Sequence, residues 1–325
     1  MKLGQLAEIR APVRGYLDVL VDLRGVTEFD PCALLYLVAQ VDRLRRTHGI
    51  RINGTYPHAL AARKALQDAR FDDFLSQGQQ MADPKNDEPR LQISYGSATK
   101  RLSPRDWLAL HAFLKLHGNL TKDEADALYN ALGECVENVR QHAFQSNTGR
   151  RWYALALRPT REKPGRVVVL DLGVGIARTI RRTAVDKVLG WMIASFGSML
   201  TALAEWRRTT APDGNESDEE EKELEDAAWL ARRFATDEWF CVYLATLGLR
   251  TQTPGKGRGT GLFGLREAVL SMQRGALHVL SGSAAITWSH GTGDPRRSVL
   301  PYLEGTAVCL DVGTRAKKGT EHAAA

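Results

Sequence analysis

The spacing of apolar residues predicts a β-α-β-α unit in the first part of the chain, residues 1–76. Residues 17–23 (LDVLVDL) are apolar enough for a strand, and Cys32 to Thr47 repeat apolar side chains at helical spacing. The arginines near the end of that segment suit a helix C-terminus, where the helix dipole favours positive charge. A second strand at 50–54 and a second helix at 58–70 complete the unit.

A larger α/β domain is predicted over residues 95–313, after a polar linker at 77–94. Thr121 and Glu124 form a predicted capping box, and the helix behind them carries apolar residues at steps of three and four. Another helix is predicted from Gly261 to Met272. The strands of this domain are expected at 152–157, 166–172, 276–280, 284–288 and 306–312.

Residues 177–256 are predicted as a long helical insertion in that domain, and residues 314–325 as a disordered tail. Within the insertion, Val188 to Ala204 carry no charge, but the stretch is at the short limit for a membrane span and glycines interrupt it. A buried or partner-facing helix is therefore expected, and no membrane span. The insertion would form a helical subdomain or a partner-binding surface, with a solvated helical insert as the alternative.

Charge is distributed unevenly along the chain. Its 325 residues include 44 Lys and Arg against 38 Asp and Glu, which gives a net charge of +6. The acidic run from Asp213 to Asp226 holds nine acids and one lysine, a net of −8, so the remainder carries +14. A solvated surface explains this excess, and a nucleic-acid or phosphate-binding surface stays open. The 43% content of hydrophobic residues excludes an intrinsically disordered protein.

The cysteines are Cys32, Cys135, Cys241 and Cys309. They stand far apart and form no CxxC or Cys–His pattern, which argues against a zinc site and for a reducing compartment. The first residues, MKLGQLAEIR, contain no apolar core of a signal peptide. We therefore expect a cytoplasmic protein.

Two segments place polar residues where they could perform chemistry. On the helix behind the capping box, Glu134, Asn138 and His142 are four residues apart and form one polar stripe. Asp171 ends a predicted buried strand and opens the Asp–Gly loop, Asp171–Ile176, where a carboxylate can accept a hydrogen bond from an exocyclic amine. Taken alone, the stripe also fits a solvated helix face, and the loop also fits an ordinary strand-end turn.

A glycine-rich segment, Gly255–Gly264, opens a predicted helix. Its glycines expose backbone amides, the helix N-terminus attracts anions, and Lys256 and Arg258 add positive charge that would offset a γ-phosphate. Gly259 to Gly264 match GxGxxG, but a dinucleotide fingerprint should follow the first strand of a βαβ unit, and this match lies late in the chain. The segment lacks GK[ST], which excludes a Walker loop. A glycine-rich loop over a triphosphate remains.

The order of these three segments resembles the GHKL ATPase family, which includes gyrase, MutL, sensor histidine kinases and anti-sigma-factor serine kinases. ECVENVRQHAF resembles the family's N box, DLGVGI its G1 box and GRGTGLFGL its G2 box. Gly305-Thr306 is similar to a pair that the family often has before its last strand. The resemblance covers about residues 95–313. The histidine at position 142 makes the motif most similar to that of the histidine-kinase and anti-sigma branches. It implies a Bergerat-type α/β sandwich that binds ATP.

The resemblance implies roles for individual residues. Asn138 would ligate Mg²⁺ between the phosphates, which suits an ion that takes few protein ligands. Asp171 would accept the adenine amine with support from Thr306, and Glu134 would orient or deprotonate the attacking water. The expected nucleotide-binding set is Asn138, His142, Asp171, Gly173, Gly175, Ile176, Lys256, Arg258, Gly259, Thr260, Gly261, Leu262 and Thr306.

The N-terminal unit resembles a shortened STAS domain, the fold of anti-sigma-factor antagonists. VDLRGVTEFDPCALLYLVAQVDRLRRTHGIRI carries the resemblance, with a strand, a turn that contains Asp30, a helix, and a strand after Gly49. In that family a serine after the aspartate accepts phosphate from a partner kinase. Pro31 and Cys32 stand at the matching positions, which argues against phosphorylation there and leaves a docking or regulatory role.

These resemblances imply a Mg²⁺-dependent ATP-binding protein, a slow ATPase that works as a nucleotide-driven regulatory switch on a protein partner. An anti-sigma-type serine/threonine protein kinase and a non-hydrolysing, ATP-gated interaction module are the alternatives. A histidine kinase is doubtful because the histidines are scattered and no phospho-acceptor hairpin is recognisable. The partner would bind the insertion or the STAS-like unit, and a homodimer and a nucleic-acid partner stay open.

Overall fold

The elements of the chain assemble around a five-stranded antiparallel sheet in the computed structural model, which is mixed α/β as the sequence predicts. A pair of parallel strands near the start of the chain lies apart from that sheet. The structure describes residues 19–68, 71, 92–97, 111–112, 114, 120–142, 151–157, 164–181, 236–247, 261–272, 275–292 and 294–312.

The order of the elements follows the prediction, with one strand (β3) that the apolar pattern does not predict. The strands are β1 (Val19–Asp22), β2 (Ile52–Thr55), β3 (Gln92–Ser97), β4 (Arg151–Leu157), β5 (Gly165–Asp171), β6 (Ala276–Ser289) and β7 (Arg296–Val312). The helices are α1 (Pro31–His48), α2 (Leu60–Asp68), α3 (Lys122–His142), α4 (Glu238–Thr246) and α5 (Gly261–Ser271). Strands β1 and β2 are parallel, and the large sheet has the order β3-β4-β5-β7-β6.

Capping groups hold the ends of the long helices. The Asp30 carboxylate accepts hydrogen bonds from the first backbone amides of α1, and Gly49 ends this helix with a left-handed φ of 62°. The predicted capping box of α3 is confirmed: the Glu124 carboxylate accepts from the Thr121 amide at 2.8 Å, and the Glu124 amide donates to the Thr121 hydroxyl at 3.3 Å. These local bonds satisfy backbone donors that a helix start leaves without partners.

One face of the large sheet is covered by α3, α4 and α5. Their apolar side chains form a single core with the inward-facing residues of β4 to β7. Burial of this apolar surface holds the helices on the sheet. The most deeply buried members include Leu128, Leu132, Trp152, Val167, Val242, Leu265, Val269, Leu277, Ile286 and Trp288.

The predicted insertion is described at its two ends, residues 177–181 and 236–247. Helix α4 belongs to the second of these parts. Its residues from Trp239 to Leu244 are buried, and all of them except Cys241 belong to the core against the sheet. This part of the insertion is therefore a component of the domain core. The uncharged stretch and the acidic run lie outside the described residues.

None of the helices in the described part of the chain is both long and apolar enough to cross a bilayer.

The opposite face of the sheet is covered by α1. Every residue of this helix from Cys32 to Val41 is buried, although a helix on a protein surface normally buries one stripe. The reason is that α1 lies between two layers, with the large sheet on one side and β1, β2 and α2 on the other. The N-terminal unit and this face of the sheet therefore share one core.

Arginine–carboxylate bridges also join α1 to the sheet. The closest atom pairs are Asp30–Arg166 at 3.1 Å, Asp42–Arg151 at 3.0 Å and Arg43–Glu304 at 2.6 Å. The Asp42 carboxylate accepts two further hydrogen bonds, from the Tyr153 hydroxyl at 2.6 Å and from Arg46 at 2.9 Å. Burial and the neighbouring carboxylate raise the pKa of Tyr153, so its hydroxyl stays a donor.

Two of the cysteines are paired, whereas the sequence argues for a reducing compartment, in which thiols stay separate. Cys32 at the start of α1 and Cys309 in β7 form a disulfide across 277 residues of sequence, with their Cα atoms 7.2 Å apart. Cys135 and Cys241 are free and buried. The pairing arises from the docking of α1 on the sheet, which no spacing in the sequence indicates.

The last strands are longer than predicted. Separate strands at 276–280 and 284–288 were expected, but β6 runs without interruption through Ser281 and Gly282. The prediction of a break was wrong because Gly282, with φ of 62°, accommodates a register shift in the ladder with β7 and lets the strand continue. Strand β7 likewise begins at Arg296, ten residues before the expected start at Thr306.

Candidate functional site

Asp171 occupies the end of the central strand β5. Only 3% of its surface is exposed, and it lies opposite Thr306 in the ladder with β7. Its carboxylate accepts hydrogen bonds from the backbone amide of Gly173, at 2.7 Å, and from that of Thr306. The predicted strand-end carboxylate is therefore buried and held in place by two backbone donors.

Burial controls the protonation of this carboxyl group. Removal from water raises the pKa of Asp171 from 3.8 to about 7, and the hydrogen bonds from Gly173 and Thr306 oppose the shift. Because the folded pKa lies above the unfolded value, the unfolded chain loses this proton first. The group therefore costs stability progressively as the pH rises from about 4 to about 7. A perturbed carboxyl of this kind is typical of a binding or catalytic site.

Two glycines allow the chain to pass closely beside Asp171. Gly305 has φ of 93°, and a Cβ there would collide with the backbone carbonyl of Asp171. Gly175 has φ of 82°, and its Cβ would lie 2.9 Å from the Ser281 hydroxyl oxygen. The resemblance places Gly175 in the expected nucleotide-binding set, and its contact with Ser281 shows that it also allows close packing. Any larger residue at either position would displace the Asp–Gly loop.

Ser281 is a site residue that sequence reasoning missed. It is 1% exposed, its hydroxyl oxygen accepts from the Ile176 amide at 2.8 Å, and the hydroxyl donates to the Gly305 carbonyl at 3.1 Å. It thus ties the Asp–Gly loop to the Gly305 turn. The only signal was a polar residue between apolar ones in β6, and that pattern was taken as a strand break.

The polar stripe and the glycine-rich segment meet at the start of α5. A Cβ on Gly261 would lie 2.9 Å from the Cβ of Glu134, 3.1 Å from the Cys135 amide nitrogen and 3.2 Å from the Ala131 carbonyl oxygen. Only a residue without a side chain permits this approach of α5 to α3. Glu134 is therefore next to the N-terminus of the helix that the glycine-rich segment opens.

Asn138 lies one helical turn after Glu134 on α3, and both side chains are partly exposed. His142 is the last residue of α3, and its side chain lies outside the described part of the structure. Among the described residues, no group of three or more His, Cys, Asp or Glu could hold a metal ion. The Asn138 side chain carries an amide oxygen, which is the type of ligand that Mg²⁺ prefers.

Cys135, between these residues, is not a reactive thiol. Complete burial raises its pKa to about 12, and the charge of Glu134 acts in the same direction. The thiol is therefore protonated at neutral pH, and it packs as a small apolar residue.

All three segments contribute apolar side chains to the core on the face of the sheet that α3, α4 and α5 cover. Val139 of α3 is a buried member of it, and Ile176 and Leu262 pack against it. The described contacts thus link the Asp–Gly loop with Thr306 and link Glu134 with Gly261, and one core supports both pairs. Outside the described residues lie Lys256, Arg258, Gly259 and Thr260.

The arrangement offers a buried acceptor at Asp171 and a carboxylate beside a glycine-started helix at Glu134. Such a set can hold an amine-bearing ring at one end and polarise water or an anion at the other. Comparison with known proteins adds no assignment: no protein-family model matches the chain, and no curated protein matches it.

Proposed function

We propose that the chain binds ATP with Mg²⁺ at a site of the GHKL type and acts as a slow ATPase that switches a protein partner. The supporting observation is the buried Asp171, held by the Gly173 and Thr306 amides at the end of a central strand. An isolated buried carboxyl is costly unless a ligand or a hydrogen bond compensates it. An exocyclic amine is a matching donor.

The donors and acceptors of the described residues fit this nucleotide. Asp171 would accept a hydrogen bond from the adenine amine, and Asn138 would supply an oxygen to Mg²⁺. This ion prefers oxygen ligands and takes them from phosphates as well as from the protein. The start of α5 at Gly261 would present backbone amides to the phosphates. When bound, Mg²⁺ would neutralise phosphate charge. Beside that helix start, Glu134 would orient a water molecule or accept a proton from it.

The fold is compatible with a Bergerat-type sandwich because an antiparallel sheet carries α3 and α5 on one face. The STAS-like assignment of the N-terminal unit stays a prediction. The positions that match the phospho-acceptor of a STAS domain are Pro31 and Cys32, and Cys32 is 4% exposed and bonded to Cys309. Neither position offers a hydroxyl group to a kinase.

The test is a calorimetric titration of the full chain with ATP and GTP in the presence of Mg²⁺. Wild type should prefer ATP, because a carboxylate accepts from the adenine amine but repels the guanine carbonyl. Asp171→Asn keeps an acceptor for Gly173 and turns an amide donor toward the base, so ATP affinity should fall about tenfold or more and the preference should move toward GTP. The exposed Asp294 provides the matched control, Asp294→Asn, which should change neither affinity.

Phosphate release is measured in the same samples. Glu134→Gln should retain ATP binding and lose most of the release, by about 100-fold or more if Glu134 acts on the attacking water. Binding without release in wild type would favour the non-hydrolysing alternative. Absence of ATP binding, or an unchanged ATP preference in Asp171→Asn, would contradict the proposal.

A further inference from the structure

A column of stacked aromatic rings runs through the core beside β6. The rings of Trp239 and Tyr243 are 5.2 Å apart and nearly parallel, and those of Tyr243 and Trp288 are 6.1 Å apart at 14°. An arginine covers each end: Arg266 has its Cζ 4.4 Å from the Trp288 ring, and Arg297 has its Cζ 5.2 Å from the Trp239 ring. Cation–π contacts of this kind hold a guanidinium in a fixed position.

The two ends of the column differ in charge compensation. Arg266 forms an ion pair with Glu267 at 3.3 Å, which offsets its charge. Arg297 is exposed, and no ion pair to it occurs within the described part of the chain. A guanidinium that rests on a ring still has N–H donors in a planar fork that matches a carboxylate or phosphate.

Arg297 lines a cleft of about 440 Å³ between the α4 start and the β6–β7 hairpin. This volume is in the range of sites for small organic ligands. Other lining residues are Arg181, Glu238, Ser283, Ser298 and Tyr302.

The acidic groups of the cleft already serve protein hydrogen bonds. Asp237 caps α4 by accepting from the Phe240 amide at 3.2 Å. The Glu238 carboxylate accepts from the amide and the hydroxyl of Ser283, at 2.5 and 2.7 Å. These carboxylates are thus engaged with the protein, whereas Arg297 adds a positive charge without an ion-pair partner there.

Two exposed residues of the cleft carry large apolar or aromatic side chains. Val299 is 82% exposed and Tyr302 is 44% exposed, and both line the cleft. Exposed apolar surface that lines a groove can bind the apolar part of a ligand. A ligand that fits the cleft would therefore combine one anionic group with an apolar body.

We propose that this cleft binds a small organic anion, with its carboxylate or phosphate on Arg297 and its apolar part on Val299 and Tyr302. The site is separate from the nucleotide site, because Asp171 and Glu134 are not among its lining residues. The two are neighbours through β6: Ser281 bonds to the Asp–Gly loop, and Ser283 bonds to Glu238 in the cleft.

The experiment uses benzoate and phenyl phosphate as anionic probes and benzamide as the neutral probe, with the full chain and ligand-observed NMR titration. At least one anion should bind saturably below about 10 mM, and benzamide should bind about tenfold more weakly or not at all. Stronger binding of phenyl phosphate would identify phosphate as the preferred group, and stronger binding of benzoate would identify carboxylate.

Arg297→Gln should weaken anion binding about tenfold or more, and its neighbour Arg296→Gln, outside the cleft, should not. Arg297→Lys keeps the charge without the fork and should retain part of the affinity, which shows that the loss is not one of folding. Asp171→Asn should leave anion binding intact even where it removes ATP binding, so the two proposals fail separately. Lack of binding by both anions, or equal binding in Arg297→Gln, overturns this assignment.

Discussion

The two faces of the five-stranded sheet are covered in different ways. On one face, α1 is buried around its whole circumference from Cys32 to Val41, and it is joined to the sheet by arginine–carboxylate bridges and a disulfide. On the other, α3 and α5 approach each other through Gly261, and α4 begins at an open cleft. On the first face, charged groups of α1 pair with charged groups of the sheet, and on the second, charged groups lie at the ends of the elements.

This difference indicates a division of roles. A fully paired polar network between two layers fixes their relative position and leaves few donors for a ligand. Glycine contacts, strand ends and helix starts instead bring backbone and carboxyl groups close to open space, which is where binding sites concentrate. We therefore expect changes on the α1 face to alter stability, and changes on the α3–α5 face to alter stability and ligand binding together.

The largest expected effect is on the α1 face. Leu37 is fully buried in the shared core, so Leu37→Ala should lower the free energy of unfolding by about 2–5 kcal/mol. Leu20 on β1 is 63% exposed, and Leu20→Ala should change the free energy of unfolding by less than about 0.5 kcal/mol. Urea denaturation measures both. ATP affinity of the folded Leu37→Ala protein should equal that of wild type, and a loss of affinity would break the proposed division.

A smaller effect is expected at the contact of α5 with α3. Gly261→Ala would press a methyl group against Glu134 and the Cys135 amide, which should cost about 1–3 kcal/mol and shift α5 away from α3. Gly264→Ala on the same helix would place its Cβ 3.4 Å from that of Ala131, and should be neutral or stabilise by up to about 1 kcal/mol.

Thermal unfolding and ATP titration of these two α5 variants separate packing from binding. Gly261→Ala should lose both stability and ATP affinity, and Gly264→Ala should keep both. Equal thermal stability and equal ATP affinity of the two variants would show that the close approach at Gly261 does not position the start of α5.

The smallest effect is a pH dependence of adenine recognition. With a pKa of about 7, Asp171 is largely protonated at pH 6 and largely ionised at pH 8, and the ionised form is the better acceptor for an amine. Adenosine, which carries no titrating phosphate, should therefore bind about tenfold more tightly at pH 8 than at pH 6. Calorimetry in buffers of different ionisation enthalpy should also show proton release on binding. Asp171→Asn should remove the pH dependence of adenosine affinity. An unchanged pH dependence in that variant would show that another group titrates.

Local sequence patterns were sufficient to predict most of the helices and strands. The helix bounds of α1 and α3 follow from apolar spacing and from capping residues that act within a few positions, such as Asp30 and the Thr121–Glu124 pair. The central strand β5 follows from its continuous apolar run. The break expected in β6 was wrong because Ser281 and Gly282 are turn formers by composition, while the ladder with β7 holds them in a strand.

The sequence singles out residues of the candidate site but does not indicate their contacts. Asp171 and Glu134 were identified from their places in the sequence, and the neighbours that define their environment come from distant segments. Ser281 lies 105 residues from Ile176, whose amide it binds, and no spacing rule links them. Arg297 was missed for the same reason, since its position over Trp239 depends on the packing of β7 against α4.

The sequence by itself determined most of the helices and strands, their order, and the types of residue available for binding, because these depend on periodicity and on chemistry within a few positions. Strand β3, the continuity of β6 and the early start of β7 are the exceptions. The tertiary structure alone decided which face of the sheet α1 covers, that Cys32 meets Cys309, and that Asp171 has a pKa of about 7. Burial and long-range contact are properties of the assembled core, and residues far apart in sequence acquire them only when their layers pack together.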